Sequence, residues 1–286
     1  MAQPDKTPQK NVDTATVSGF GSEWSSFSYG PLELSEQKRQ QMFDDYFRIF
    51  PWERLPANHA VGLDVGCGSG RWAMLVAPRV KLLHVLDASA AALRIAQANL
   101  VDRSNIEFHR ASVEDIPVPD HSLDFAYALG VLHHVPDTAA ALRALANKLK
   151  PGAPLLVYLY YAFDNRPPWY RLIWKTTDLA RRLISRAPYP VRYWVCQAIA
   201  ALVYWPLARL AAVLARIGCL PRSFPLDYYR DKPFYVMRTD ALDRFGTQLE
   251  RRFSREEIQR LLQDAGFHEI RFSDSQPYWC ATGLKR

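Results

Sequence analysis

An α/β fold of the doubly wound kind, a mostly parallel sheet covered by helices on both faces, is what this sequence predicts. Two patterns carry that prediction. Between Ala60 and Phe163, short apolar runs alternate with stretches of helical periodicity. A loop with three closely spaced glycines also joins the first apolar run to a helix, at the edge where such sheets bind ligands. The composition agrees: 49% of the 286 residues are hydrophobic and 23% are charged, which excludes both a disordered chain and a multi-span membrane protein.

The strands read in order as AVGLDV, KLLHVLD, IEFHR, LDFAYAL and PLLVYLYY. SAAALRIAQANL and DTAAALRALANKL read as helices, the second capped by Asp137 and stopped by Pro151-Gly152. Near the end, Ser254 and Glu257 form a capping box before EEIQRLLQDAGF, and Gly266 ends that helix. HEIRFSD and YWCATGL supply two last strands.

Four regions follow from this reading. Residues 1–18 are polar, lack the apolar core of a signal peptide, and are expected to be a disordered tail. Residues 19–163 form the core with an N-terminal lid, and residues 234–286 complete it. Between them, 164–233 is far too long for a loop and reads as a helical cap inserted over the ligand edge. Four cysteines without C-x-x-C spacing argue against a zinc site or a disulfide framework and fit a reducing cytosol.

The net charge of +7 is concentrated. From Asn165 to Arg222 there are ten Lys/Arg and one acid, a balance of +9. The remainder holds 26 basic and 28 acidic residues, or −2. The same segment carries Trp169, Trp174, Trp194 and Trp205. The uncharged run Tyr193–Ala208, broken by Pro206, is short for a membrane span. An element lying on an anionic membrane surface, or covering a lipid-like acceptor, is the expectation; a buried cap or a dimer contact is the alternative. Nucleic acid is the weaker partner, because the bases are interleaved with long aliphatic runs.

Within LDVGCGSG the pattern is G-x-G-x-G, with Asp64 two residues ahead. Arg71 stands where a dinucleotide fingerprint would place its third glycine. Asp87 ends the next strand, about 20 residues past the loop, where an acid can accept ribose hydroxyls. Its other reading is a helix N-cap, which Ser89 serves equally well.

The ordered motifs LDVGCGSG, LHVLDAS, ASVEDIPVPDHSLDFAYA and LGVLHHVPD, from about Val61 to Tyr160, resemble the class I S-adenosylmethionine-dependent methyltransferases. FSREEIQRLLQDAGF matches more loosely. The resemblance implies a Rossmann-like seven-stranded sheet with its last strand antiparallel. It implies S-adenosyl-L-methionine as cofactor, its methionine portion facing Gly66, Gly68 and Gly70. Asp64 would help hold its amino group and Asp87 its ribose. Ser112 and Val113 would border the adenine, although many relatives carry Asp where this chain has Ser112. Leu129 and Gly130 would line the pocket, and Trp24 and Phe27 would stack on the lid side.

A sulfonium cofactor already carries an activated methyl group, so positioning and sometimes a base are all that the protein must add. His133 and His134 follow the fourth strand, and a histidine with a pKa of about 6.5 suits removal of a hydroxyl proton. Asp164, near Tyr158, Tyr160 and Tyr161, is the alternative base. Tyr228–Asp231 and Thr239–Gly246 are candidate substrate contacts. The expected function is methyl transfer, on oxygen, to a small-molecule, sugar or lipid-linked acceptor. The competing classes are a cofactor-binding regulatory protein and an RNA methyltransferase.

Overall fold

The computed structural model describes residues 11–26 and 35–286. Seven strands form one sheet in the order β3-β2-β1-β4-β5-β7-β6. β1 (Val61–Val65), β2 (Leu82–Asp87), β3 (Ile106–Arg110), β4 (Phe125–Leu129) and β5 (Pro154–Tyr158) pair in parallel. β7 (Cys280–Lys285) enters antiparallel between β5 and β6 (Phe267–Phe272). The chain order reverses between β1 and β4, which opens a crevice at their carboxyl ends.

The helices are α1 (Thr14–Ser26), α2 (Glu36–Phe47), α3 (Ala73–Val76), α4 (Ala90–Asn99) and α5 (Thr138–Lys148), then α6 (Pro168–Ile184), α7 (Tyr189–Ile199), α8 (Trp205–Arg216), α9 (Phe234–Gly246) and α10 (Arg255–Asp264). The expected caps are present. Ser89 accepts the Ala92 amide, Asp137 accepts that of Ala140, and Ser254 and Glu257 cap reciprocally.

Alternation along the strands splits the apolar side chains into two cores. One face buries Phe125 and Tyr127 with Phe43 and Phe47 of α2 and with buried residues of α7 and α9. The other buries Leu63, Val65 and Ala126 against α5 and α10. Buried strands in parallel sheets are apolar on both sides, and β4 is buried along its whole length.

Three expectations change here. Residues 11–18 are not a tail: α1 starts at Thr14, where the Thr16 amide donates to Asp13 at 2.7 Å, and Asn11 bonds both backbone groups of Asp137. Residues 1–10 and Phe27 lie outside the described residues. Thr239–Gly246, read as substrate contacts with a solvated loop as the alternative, is no loop: it belongs to α9, which packs on α6 and α7 and turns Thr239, Asp240, Asp243 and Arg244 to the cavity beneath the inserted helices. Finally, Pro206 does not interrupt its helix. A π-helical turn at Ala200–Tyr204 links α7 to α8, so Tyr189–Arg216 is continuous, with Pro206 in the first turn of α8. A proline there forfeits little, because the wider turn before it relieves its missing N–H.

Candidate active site

A cavity of about 350 Å³ starts at the carboxyl ends of β1, β2 and β4 and continues beneath the inserted helices. At its sheet end, Gly66 adopts φ +68°, and a Cβ there would sit 2.4 Å from Val131 Cγ2. Only glycine brings the backbone this close to Val131. Asp87 ties the loop to the end of β2: its Oδ2 accepts the Gly68 amide at 3.0 Å and its Oδ1 the Ser89 amide at 2.8 Å. Since Ser89 caps α4 with its own hydroxyl, Asp87 is not the cap. A carboxylate has about four lone-pair sites, so Asp87 keeps capacity for a ligand on the cavity wall. Burial pushes its carboxyl up to about 6 against the pull of those two amides.

Gly66, Gly68, Asp87, Ser112, Val113, Leu129 and Gly130 all line this cavity, as expected. Ser112 spends its hydroxyl locally, donating to Asp115 and accepting the Glu114 amide. Two residues assigned to the cofactor do not reach the wall. Gly70 faces α4, where a Cβ would meet Leu100 Cδ1 at 2.7 Å, so its part is helix packing. Asp64 lies beneath the loop, in register with Tyr127 of β4 and only 1% exposed. Its Oδ2 and the Tyr127 hydroxyl are buried without a hydrogen bond of ordinary geometry. Burial, with the Asp87 charge added, pushes the Asp64 carboxyl up to about 8. Trp24 sits in α1, but its side chain lies outside the described residues; from α1, Thr16, Val17 and Phe20 line the cavity instead.

The far end of the cavity is walled by tyrosines and carboxylates. His134 Nδ1 lies 2.7 Å from the Leu249 carbonyl oxygen, which can only accept, so Nδ1 carries a proton. Nε2 then stands 3.5 Å from Asp243 Oδ1. Asp243 also accepts the Tyr160 hydroxyl. Burial raises the Asp243 carboxyl, but His134, Tyr160 and Thr247 outweigh it and hold the group below the usual carboxylate range. One turn away on α9, Asp240 accepts the Tyr229 hydroxyl at 2.9 Å, and burial with the Asp243 charge lifts it to about 6. Burial drives the Tyr158, Tyr160 and Tyr229 hydroxyls well above their ordinary range, so they stay protonated donors.

The other two proposed bases are placed elsewhere. His133 is fully buried, stacks on Tyr160 at 3.8 Å and accepts the Tyr160 amide. Burial holds its pKa well below the ordinary value, and the ring stays neutral core. Asp164 lies outside the cavity wall, accepting the Arg255 amide and the Trp279 indole N–H. Sequence reasoning singled out Asp243 within the segment Thr239–Gly246 but missed Phe20, Tyr204 and Arg252 as wall residues. No local spacing marks them, because they reach the cavity from distant parts of the chain. A His84, Glu107 and His109 group lies away from the cavity, with His84 Nδ1 3.0 Å from His109 Nε2.

The residues suit S-adenosylmethionine. The wall offers the Asp87 carboxylate for hydroxyls and an apolar border at Val113 and Leu129. It also offers a buried Ser69 hydroxyl with no hydrogen-bond partner.

Comparison with known proteins agrees. Residues 63–157 match the family Methyltransf_11, described as a methyltransferase domain. An uncharacterized methyltransferase of Mycobacterium tuberculosis is 30% identical over 130 residues, covering 45% of this chain and 66% of that protein. A ubiquinone biosynthesis O-methyltransferase of Hahella chejuensis is 28% identical over 169 residues, covering 57% and 66%. The chain thus spans just under two thirds of these relatives' length. A 27-O-demethylrifamycin SV methyltransferase of Amycolatopsis mediterranei is 32% identical over 104 residues, covering 32% and 36%. The fold is shared with a chain from the complex of the Haloferax volcanii Trm112 methyltransferase activator and a methyltransferase. There the TM-score is 0.51 at 14% identity, covering 93% of this chain and 96% of that one. With its seven-stranded sheet, glycine loop and acid-ended second strand, this chain carries a class I S-adenosylmethionine-dependent methyltransferase domain.

Proposed function

We propose that this protein methylates a hydroxyl group of a small-molecule, sugar or lipid-linked acceptor held beneath the inserted helices. The observation that carries this reading is the continuity of the cavity from Gly66 and Asp87 to His134, Asp243 and Tyr229. A donor site and an acceptor site that share one continuous space meet the geometric demand of direct transfer. Two of the relatives named above, the ubiquinone biosynthesis O-methyltransferase and the rifamycin enzyme, support an oxygen acceptor.

When bound, S-adenosylmethionine supplies a methyl group already activated on a sulfonium. Asp87 would hold its ribose hydroxyls, the Ser69 hydroxyl and the Gly68 loop its methionine portion, and Val113 the adenine. Nδ1 of His134 donates to the Leu249 carbonyl, which leaves Nε2, buried at the cavity end without a hydrogen-bond partner, as the nitrogen that exchanges a proton. His134 takes the acceptor's hydroxyl proton at Nε2, and the Asp243 carboxylate at 3.5 Å stabilises the imidazolium that results. Tyr158 keeps its protonated hydroxyl to donate to an acceptor rich in oxygen, Tyr160 and Tyr229 spend theirs on Asp243 and Asp240 and can only accept, and the rings of all three exclude water.

The test is transfer of radiolabelled methyl from S-adenosylmethionine into a cell extract, partitioned between butanol and water. Label in butanol supports a lipid or lipid-linked acceptor, and label in water a soluble metabolite or sugar. Bound cofactor with no label in either phase overturns the reading in favour of a binding protein.

A further inference from the structure

We infer that the outer face of α6 and of the continuous α7–α8 helix docks on an anionic lipid bilayer. Sixteen large hydrophobic side chains are exposed among the described residues, and fourteen of them fall between Trp169 and Ile217. Scattered exposed leucines are ordinary; a concentration of this kind on neighbouring helices is not.

The faces are ordered. On α6, Trp169, Leu172, Ile173, Leu179 and Leu183 recur at helical spacing and are exposed, Leu183 by 69%. The buried side of the same helix holds Arg181, which bonds the Thr247 and Gln248 carbonyls. The apolar stripe of α6 therefore points away from the protein. Beside it, Arg171, Lys175, Arg182 and Arg186 follow at spacings of four and seven, all exposed. On α7–α8, Trp194 (70% exposed), Leu202 (76%), Trp205, Leu210 and Val213 face outward. Cys196, Ala200, Tyr204, Ala208 and Ala211 face inward at intervals of three and four.

Charge selects the occupant. Of the ten basic residues in this segment, Arg166, Arg181 and Arg192 are buried, and Arg209 bonds the Tyr229 and Lys232 carbonyls. The other six are exposed. Asp178 is neutralised by Arg181 and Arg182, and Asp164 is held by Arg255 and Trp279. A symmetric dimer through this face would set like charges against one another. An anionic surface accepts the bases, and tryptophans and leucines enter the headgroup boundary beside them.

The helix lies on the membrane rather than across it. Tyr189–Arg216 is long and apolar enough to span. Its inner stripe is nevertheless packed into the protein, with Tyr204 on the cavity wall and Arg192 bonded to the Ser185 and Gly246 carbonyls. One helix thus has the cavity on one side and, on the other, the bilayer.

The experiment is flotation of the full chain with phosphatidylcholine vesicles, with and without phosphatidylglycerol, read as bound protein and independent of any methyl transfer. Binding is expected only with the anionic lipid, weakening as salt rises. The triple variant Leu172→Glu, Leu179→Glu and Leu183→Glu should lose about tenfold or more in binding. The quadruple variant Arg171→Gln, Lys175→Gln, Arg182→Gln and Arg186→Gln should do the same. Both should keep S-adenosylmethionine affinity, which shows that they fold. Failure of the wild type to float with anionic vesicles overturns the inference. So does equal binding by folded variants, or self-association that these substitutions abolish in a wild type that ignores vesicles.

Discussion

Oδ2 of Asp87 accepts the amide of Gly68 at 3.0 Å across 19 residues of chain, and its Oδ1 accepts that of Ser89. One carboxylate at the end of β2 thereby sets the glycine loop and the start of α4 together, while facing the cavity. Its carboxyl is raised to about 6, so it takes up a proton as pH falls through that value and loses acceptor capacity. Affinity for S-adenosylmethionine should be level above about pH 7 and weaken below about pH 6. Asp87→Asn should bind about 10- to 100-fold more weakly, as loss of a charged hydrogen bond implies, with a flatter pH profile. Calorimetric titration across that range checks both.

Asp64 couples stability to pH in the opposite sense to a paired surface acid. Its folded pKa of about 8 lies far above the unfolded value of about 3.9, so the folded state holds the proton more tightly. The stability it contributes is complete below pH 4 and is lost as pH rises toward 8. Asp240, raised to about 6, acts in the same direction over a narrower window. The cofactor-free protein should melt at lower temperature at pH 8 than at pH 6. In Asp64→Asn that decline should be smaller. An identical decline in the variant would show that Asp64 is not the source.

Gly66→Ala should be more damaging than an ordinary surface change. The new methyl would meet Val131 at 2.4 Å in a left-handed backbone, costing about 1–3 kcal/mol by strain and overpacking. Adding Val131→Ala should recover part of the thermal stability by removing the clash, though not the backbone strain. No recovery in the double variant would place the cost entirely in the backbone.

How much of this was legible in the sequence follows from the range of each interaction. The seven strands, the capped starts of α4, α5 and α10, and the glycine loop are written in local spacing, and the structure has them where they were expected. So is Asp87, whereas Ser112, Val113, Leu129 and Gly130, which line the cavity, were implied by the family resemblance of the ordered motifs rather than by spacing. The far end of the cavity is assembled from contacts that no window of residues contains. His134 meets Leu249 across 115 residues, and Tyr160 meets Asp243 across 83. Asn11, read as part of a tail, is held by Asp137 across 126. His133 and His134 are adjacent and chemically identical, yet the 3₁₀ turn Leu132–His134 sends one against Tyr160 in the core and the other to the cavity. Asp164 stands at the ligand edge in sequence, but the first amide of α10 claims its carboxylate.

The most direct measurement compares His134→Gln with wild type for both cofactor affinity and methyl transfer. Glutamine keeps size and polarity but cannot take the acceptor's proton. If donor and acceptor share one cavity with His134 as base, S-adenosylmethionine affinity should stay within about twofold while turnover falls about 10²- to 10⁴-fold. Unchanged turnover would contradict a base at this position and leave positioning alone as the source of catalysis.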